Sequence, residues 1–388
     1  MYNVKTYNKI SPVLLDVLDK GRYNVSDEAE SPVGAIVRSK ALHDEKFPDT
    51  LLAIARAGAG TNNIPTDRCS EEGIVVFNTP SANANAVKEL VIFGLLASSR
   101  KVIDGIEWAK SLKGKDDVPA LVEKGKGAFV GPELRGKTLG VIGLGAIGVL
   151  VANAAKDLGM TVYGYDPYLS LQNAWNLSHS IKHAEKLDEI YEKCDYITLH
   201  IPQNKETKNT INCDALAKMK DGVRIINFAR DGLVNSNDMK EALESGKVAA
   251  YVVDFPTEDM LGVNGVVAIP HLGASTPESG DNCAVMAARE LSDYIECGNI
   301  TNSVNFPNVS MARSGKYRIA VIHKNIPTML TSITAVLGKD GVNIENLINK
   351  SRGEYAYTML DVDECDVEDV SSHIAAIDAV IRVRIIYQ

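Results

Sequence analysis

The segment Thr138-Leu-Gly-Val-Ile-Gly143-Leu-Gly145-Ala146-Ile147-Gly148 constrains this chain more than any other. An apolar run of strand type enters a glycine-rich turn and leaves as a helical stretch over 147–158. Asp166 closes the next apolar run, 18 residues after Gly148. A lone GxGxxG carries little weight, but strand before, helix after and acidic residue beyond together fit a dinucleotide turn. The first glycine permits the tight turn, the second lets a pyrophosphate approach the backbone, and the third lets helix pack on strand. Phosphates would meet the helix N-terminus. Asp166 would accept from the ribose hydroxyls. With no Arg or Lys in Asp166-Pro-Tyr-Leu-Ser it disfavours a 2′-phosphate, which points to NAD rather than NADP.

Strands recur at 161–165, 196–200, 223–228, 249–253 and 266–269, so the spacing predicts a doubly wound parallel sheet. Upstream, apolar runs at 33–37, 51–55 and 74–77 alternate with polar, helix-compatible segments at 41–50 and 63–72, a second α/β layer. Residues 82–110 lack proline and read as one long helix, and 111–127 as a connector. A helix over 278–297 and a polar linker over 298–316 lead to the last 72 residues, which read strand, helix, strand, strand, helix, strand.

A length of 388 residues allows two or three domains. A net charge of −9 and a pI near 5.4 argue against non-specific binding to nucleic acid or acidic membranes. No apolar run approaches the ~20 residues of a membrane span. Six scattered cysteines without a CxxC pair give neither a zinc site nor a disulfide framework. Together with the polar start MYNVKTYNKI, they set the expectation of a cytoplasmic protein.

Several further segments run in order along the chain: Arg56-Ala-Gly-Ala-Gly-Thr, Asn78-Thr-Pro-Ser-Ala-Asn, Leu199-His-Ile-Pro, Ile226-Asn-Phe-Ala-Arg230-Asp-Gly, Asp254-Phe-Pro-Thr-Glu258 and Pro270-His271-Leu-Gly-Ala-Ser-Thr. With the glycine turn, they resemble the D-isomer-specific 2-hydroxyacid dehydrogenases. The resemblance implies an NAD-binding Rossmann domain (99–275) inserted in a flavodoxin-like substrate domain (1–98 and 276–310). It also implies a separate βαββαβ unit (317–388) that looks like an ACT regulatory domain, and a homo-oligomer, dimer or tetramer. Beyond the turn and Asp166, it implies cofactor contacts at His200, Ile201, Pro202, Phe228, Ala229, Asp254, Gly273 and Ala274.

The chemistry of the family asks for a cation and an acid–base group. Arg230, just past a strand, can grip a carboxylate with its planar fork. His271, also past a strand, can take the hydroxyl proton at C2. Glu258 is the family-matched carboxylate to orient that imidazole and raise its pKa. One departure leaves two alignments open, because many relatives read Asp-Val-Phe where this chain has Asp254-Phe255. Anchored on Phe-Pro-Thr-Glu, Glu258 stands behind His271; anchored on the aspartate, Asp254 faces the cofactor carboxamide and Glu258 loses its role. Asp231 also stands where many relatives have Gly.

For the substrate, Arg38 and Lys40 follow a strand, and Ser81-Ala82-Asn83 precede a helix N-terminus that can seat an anion. A substrate with carboxylate and phosphate fits, and the resemblance implies D-3-phosphoglycerate, the entry to serine synthesis. The rivals are another D-2-hydroxy acid, of glyoxylate or lactate type, and a non-catalytic NAD(H)-sensing protein. In the C-terminal unit, His323, Asn325 and Asn343 match positions that contact L-serine in serine-sensitive relatives, with all three expected at one end of the layer. Thr328 stands where that motif has Gly.

Overall fold

The structure, a computed structural model, describes residues 1–387. It divides into two compact units, one of residues 1–82 with 277–387 and one of residues 83–276. In the first unit, β1 (Tyr2–Tyr7), β2 (Tyr23–Ser26), β3 (Gly34–Val37), β4 (Ala53–Arg56) and β5 (Val75–Asn78) form a parallel sheet in the order β2-β1-β3-β4-β5. That is the flavodoxin-type order. Of the polar segments between its strands, only Thr66–Glu71 is helical, and 41–50 is turns.

The second unit carries β6 (Thr138–Ile142), β7 (Thr161–Tyr165), β8 (Lys182–His183), β9 (Tyr196–Leu199), β10 (Val223–Asn227), β11 (Val248–Val253) and β12 (Val266–Ala268). Their order, β12-β11-β10-β9-β6-β7-β8, places the reversal of strand order at β6/β9, where such sheets bind ligands. The expected long helix is two, Ala84–Ser99 and Val102–Lys110. Ser98 and Ser99 both donate their hydroxyls to Leu95 O and so compete with the helical ladder just before the break. The connector after them contains a helix, Val118–Gly125. Val87, Val91 and Leu95 pack into the core with Val141, Val151 and Val252. Helix 84–99 therefore belongs to the nucleotide unit, and the boundary expected at residue 98 lies at 82/83.

Helix Pro277–Cys297 returns the chain to the first unit. The C-terminal strands β13 (Tyr317–Lys324), β14 (Ile344–Arg352), β15 (Tyr355–Val362) and β16 (Val380–Tyr387) form an antiparallel sheet, ordered β14-β15-β13-β16. With helices Met329–Lys339 and Val367–Ala375 this is the expected βαββαβ order. It is not free-standing. One face buries Ile319, Val321 and Leu360 beneath its helices, while Ala320, Ile322, Tyr357 and Met359 join the core of the β1–β5 sheet. Buried Arg318 pairs with Asp361 through Nε–Oδ1 at 2.6 Å and Nη2–Oδ2 at 2.8 Å, and Nη1 donates to Cys297 O at 2.8 Å. No helix among the described residues is long and apolar enough to cross a membrane.

Candidate active site

The glycine turn sits at the carboxyl end of β6. Gly143 has φ +93°, and a Cβ there would lie 2.5 Å from His200 O, so only glycine lets the turn pass beside the end of β9. A Cβ at Gly145 would meet nothing within 4 Å, which leaves the N-terminus of helix Ala146–Asp157 open to a phosphate. Asp166 stands at the end of β7. Its Oδ2 accepts from the Leu144 N–H and its Oδ1 from the Tyr168 N–H, each at 2.8 Å, which fixes the carboxylate beside the turn. His200 shares a hydrogen with Thr198 Oγ1 at 3.0 Å, and burial lowers its pKa to about 4. It is neutral at pH 7 and walls the turn rather than shuttling protons. Ile201 packs against the same turn, while the Phe228 side chain is in the core against Gly94 and offers only its backbone to the site.

The chemistry-bearing side chains gather at the ends of β10, β11 and β12. Buried Asn227, the last residue of β10, shapes the loop to Arg230: its Nδ2 donates to Arg230 O at 2.8 Å, and its Oδ1 accepts from the Ala229 N–H. The Arg230 guanidinium lies 5.7 Å from the centre of the Phe255 ring, and His271 packs on that ring with centroids 4.2 Å apart and planes tilted by 45°. Phe255 thus holds the two expected catalytic groups on one platform. Sequence reasoning missed it, although its place between Asp254 and Pro256 was the available signal. Burial and the positive charge of Arg230 both lower the His271 pKa, so the imidazole is a neutral proton acceptor at pH 7.

The alignment question turns first on Asp254. It is 2% exposed, neither carboxylate oxygen has a hydrogen-bond partner, and a Cβ on Gly273 would lie 3.8 Å from Oδ2. Burial raises its pKa to about 6, with Arg230 pulling the other way. An unsatisfied buried acceptor beside a glycine, at the carboxyl edge of the sheet that carries the phosphate turn, fits the carboxamide of a nicotinamide. Glu258 does not pair with His271 here. It is exposed on the short turn Glu258–Met260, whose buried position is taken by Met260, and Phe255 occupies the flank of the imidazole. The expected upward pull on the histidine is therefore replaced by a downward one.

In the first unit, Arg38 follows β3 and Arg56 ends β4. Arg56 Nε donates to Arg38 O at 3.2 Å, and burial together with the like charge of Arg38 lowers the Arg56 pKa. Gly58 makes room for this side chain, since a Cβ there would stand 2.2 Å from Arg56 Nη1. Sequence reasoning named the motif that begins with Arg56 but did not single out Arg56 itself as a candidate cation. Lys40 behaves otherwise: its Nζ is tied to Glu45 at 2.6 Å and lies over Tyr7, so its charge is already answered. Ser81 takes φ +69°, Ala82 O accepts from Asn282 Nδ2, and Asn83 begins helix 84–99 without capping it through its side chain.

The family described as D-isomer specific 2-hydroxyacid dehydrogenase, NAD binding domain, matches residues 92–273. The chain is 34% identical over 354 residues to D-3-phosphoglycerate dehydrogenase of Escherichia coli K12, an alignment covering 87% of this chain and 82% of that protein. The chain belongs to the D-isomer specific 2-hydroxyacid dehydrogenases. D-3-phosphoglycerate dehydrogenase 1 of Saccharomyces cerevisiae is 31% identical over 367 residues, covering 87% of this chain and 74% of the yeast protein. The crystal structure of NAD⁺-bound 3-phosphoglycerate dehydrogenase from Entamoeba histolytica superposes with a TM-score of 0.59 at 26% identity, covering 78% of this chain and 98% of that one. As a member of this dehydrogenase family the chain is an NAD-dependent oxidoreductase.

In the C-terminal sheet the three expected effector residues do not meet. His323 is buried and bonded to Thr358 Oγ1 at 2.9 Å, and Asn325 Nδ2 donates to Gly353 O at 3.0 Å. Asn343 O accepts from the Asp363 N–H, beside the pairing of Val362 with Tyr317, at the far end of the strands. The crossover helix 329–339 explains this, because it carries the chain back to the edge where β13 began.

Proposed function

We propose that this enzyme oxidises D-3-phosphoglycerate at C2 to 3-phosphooxypyruvate, the entry to serine synthesis. The observation that carries the reading is the Arg38–Arg56 pair, two guanidinium groups at adjacent strand ends with no carboxylate among the described residues hydrogen-bonded to either. Such a pair asks for a multiply charged anion, which a phosphate supplies and glyoxylate or lactate does not. The names of the yeast and E. coli relatives support the same substrate. Arg230 grips the carboxylate and polarises the C2 oxygen, and neutral His271 takes the hydroxyl proton. Bound NAD supplies the hydride acceptor. The imidazolium formed on proton transfer attracts a carboxylate more strongly than the resting imidazole does. Glu258, three residues beyond the ring that packs on His271, is the group we assign to it, since catalytic hydrogen bonds often tighten only in the reacting complex.

Exposed Phe93, Leu96, Val102 and Ile106 on successive helices support self-association of the nucleotide unit. All six cysteines are free thiols, which suits a reducing cytosol. Because Asn343 lies at the opposite end from Asn325, an L-serine site would need two copies paired antiparallel along the exposed edge strand β14; calorimetric titration with serine tests it, and no heat at millimolar serine removes the effector. The enzymatic reading is tested by NADH formation from a panel of 2-hydroxy acids. Turnover of D-3-phosphoglycerate well above D-lactate and glycolate supports it. Equal or greater turnover of an unphosphorylated acid moves the enzyme to the first rival class, and NAD binding without any turnover to the second.

A further inference from the structure

Helix Pro277–Cys297 holds the loop that leaves β5 at two places. Near its start, Asn282 Nδ2 donates to Ala82 O at 3.3 Å. Two turns further on, Glu290 is 6% exposed, and its Oε1 accepts from Asn302 Nδ2 at 2.6 Å. The backbone of Asn302 passes the tie onward, its carbonyl accepting from the Asn78 N–H at 3.3 Å. Asn78 Nδ2 then donates to Ala59 O at 2.6 Å, which joins the loop after β5 to the loop after β4 that surrounds Arg56. Ser303 bridges Phe77 antiparallel and the Val304 N–H donates to Val76 O at 2.9 Å, so residues 302–304 lie along β5 as a short extra strand.

Two features mark this tie. Asn302 has φ +58°, a left-handed backbone that asparagine tolerates and glycine adopts freely, so Asn302→Gly removes the side-chain contact without straining the chain. Glu290 has a second carboxyl oxygen buried without a partner, which costs folding free energy. Burial pushes its carboxyl up to about 8, so it is neutral at pH 7 and glutamine is its fitting substitute.

We propose that Glu290 is a positioning residue for substrate: through Asn302 it fixes where β5 ends and thereby sets the loop Asn78–Ala82 and the neighbouring Arg56. The proposal rests on the reading of that loop and of Arg56 as substrate-binding. Its test compares Glu290→Ala, Glu290→Gln and Asn302→Gly in the full-length protein by steady-state kinetics with D-3-phosphoglycerate and by amide hydrogen exchange. Glu290→Ala and Asn302→Gly are expected to raise KM for D-3-phosphoglycerate about tenfold, with kcat within about twofold and KM for NAD unchanged. Amides of 78–82 should exchange roughly tenfold faster, while those of β1 keep their rates. Glu290→Gln should restore both. Should Glu290→Ala not fold, Asn302→Gly carries the same comparison. The proposal is overturned if KM stays at the wild-type value in an active enzyme, if exchange rises uniformly through the unit, or if Gln behaves as Ala. If the wild type turns over no 2-hydroxy acid, the functional reading falls, and local exchange at 78–82 still decides whether Glu290 sets the loop.

Discussion

Replacing Asp254 by Asn should stabilise the free protein and weaken its grip on NAD. The carboxyl is buried with both oxygens unpartnered, and its pKa is raised from 3.8 to about 6. Between those values the folded state binds more protons than the unfolded state, so this group's contribution is full below pH ~4 and is lost as pH rises through ~6. At 1.36 kcal/mol per unit the shift amounts to at most about 3 kcal/mol, which solvent screening reduces to about 1–2 kcal/mol. Asn keeps the shape and cannot ionise. At pH 7.5 the variant should therefore melt about 2–6 °C higher, and the gain should vanish near pH 4. With NAD the balance reverses. A charge-assisted hydrogen bond contributes about 1.5–3 kcal/mol, and Asn retains only a neutral acceptor, so Kd for NAD should rise at least about tenfold. Scanning calorimetry across pH and isothermal titration with NAD check both limbs. A lower Tm would mean that the carboxylate has a partner in the folded state, and an unchanged Kd would remove Asp254 from the cofactor site.

Four further outcomes are expected. His271→Ala should lower kcat by about 10²–10⁴-fold without changing Kd for NAD, and near-wild-type turnover would take the imidazole out of the mechanism. Because burial and Arg230 depress the His271 pKa, the acid limb of kcat/KM for oxidation should lie below the ordinary imidazole range of 6.5, and it should move up in Arg230→Met. Arg56→Ala and Arg38→Ala should each raise KM for D-3-phosphoglycerate about tenfold or more and leave D-lactate oxidation nearly unaffected, whereas Lys40→Ala should do little; equal losses on both substrates would make the arginines structural. Thr328 holds φ +71°, a strained conformation for a β-branched residue, so Thr328→Gly should stabilise the chain by about 1 kcal/mol, read by chemical denaturation.

The local rules of this chain were strong where one short segment must do a job alone. The turn Gly143–Gly148 and Asp166 were legible because a tight strand-to-helix turn needs those glycines at that spacing, and the carboxylate at the end of the next strand holds the turn's backbone. The βαββαβ order of the C-terminal region was legible because β13, β15, β16 and both helices carry clear apolar patterns, although β14 is largely polar. The strands β1 and β2 were not, since Tyr2–Tyr7 is only half buried and its alternation is masked by polar residues. What only the tertiary structure decided was partnership. Lys40 and Arg38 look alike in sequence, yet Glu45 answers one charge while Arg56 reinforces the other. The two alignments of Asp254 and Glu258 were both open in sequence, and only packing buried the first carboxyl unpaired and left the second in solvent on a short turn. Asn325 and Asn343 stand at opposite ends because a crossover helix reverses the chain. Sequence patterning reports each residue's own preference for water or for a periodic backbone. The charges, rings and carbonyls that meet it come from distant parts of the chain, and packing alone brings them within a few ångströms.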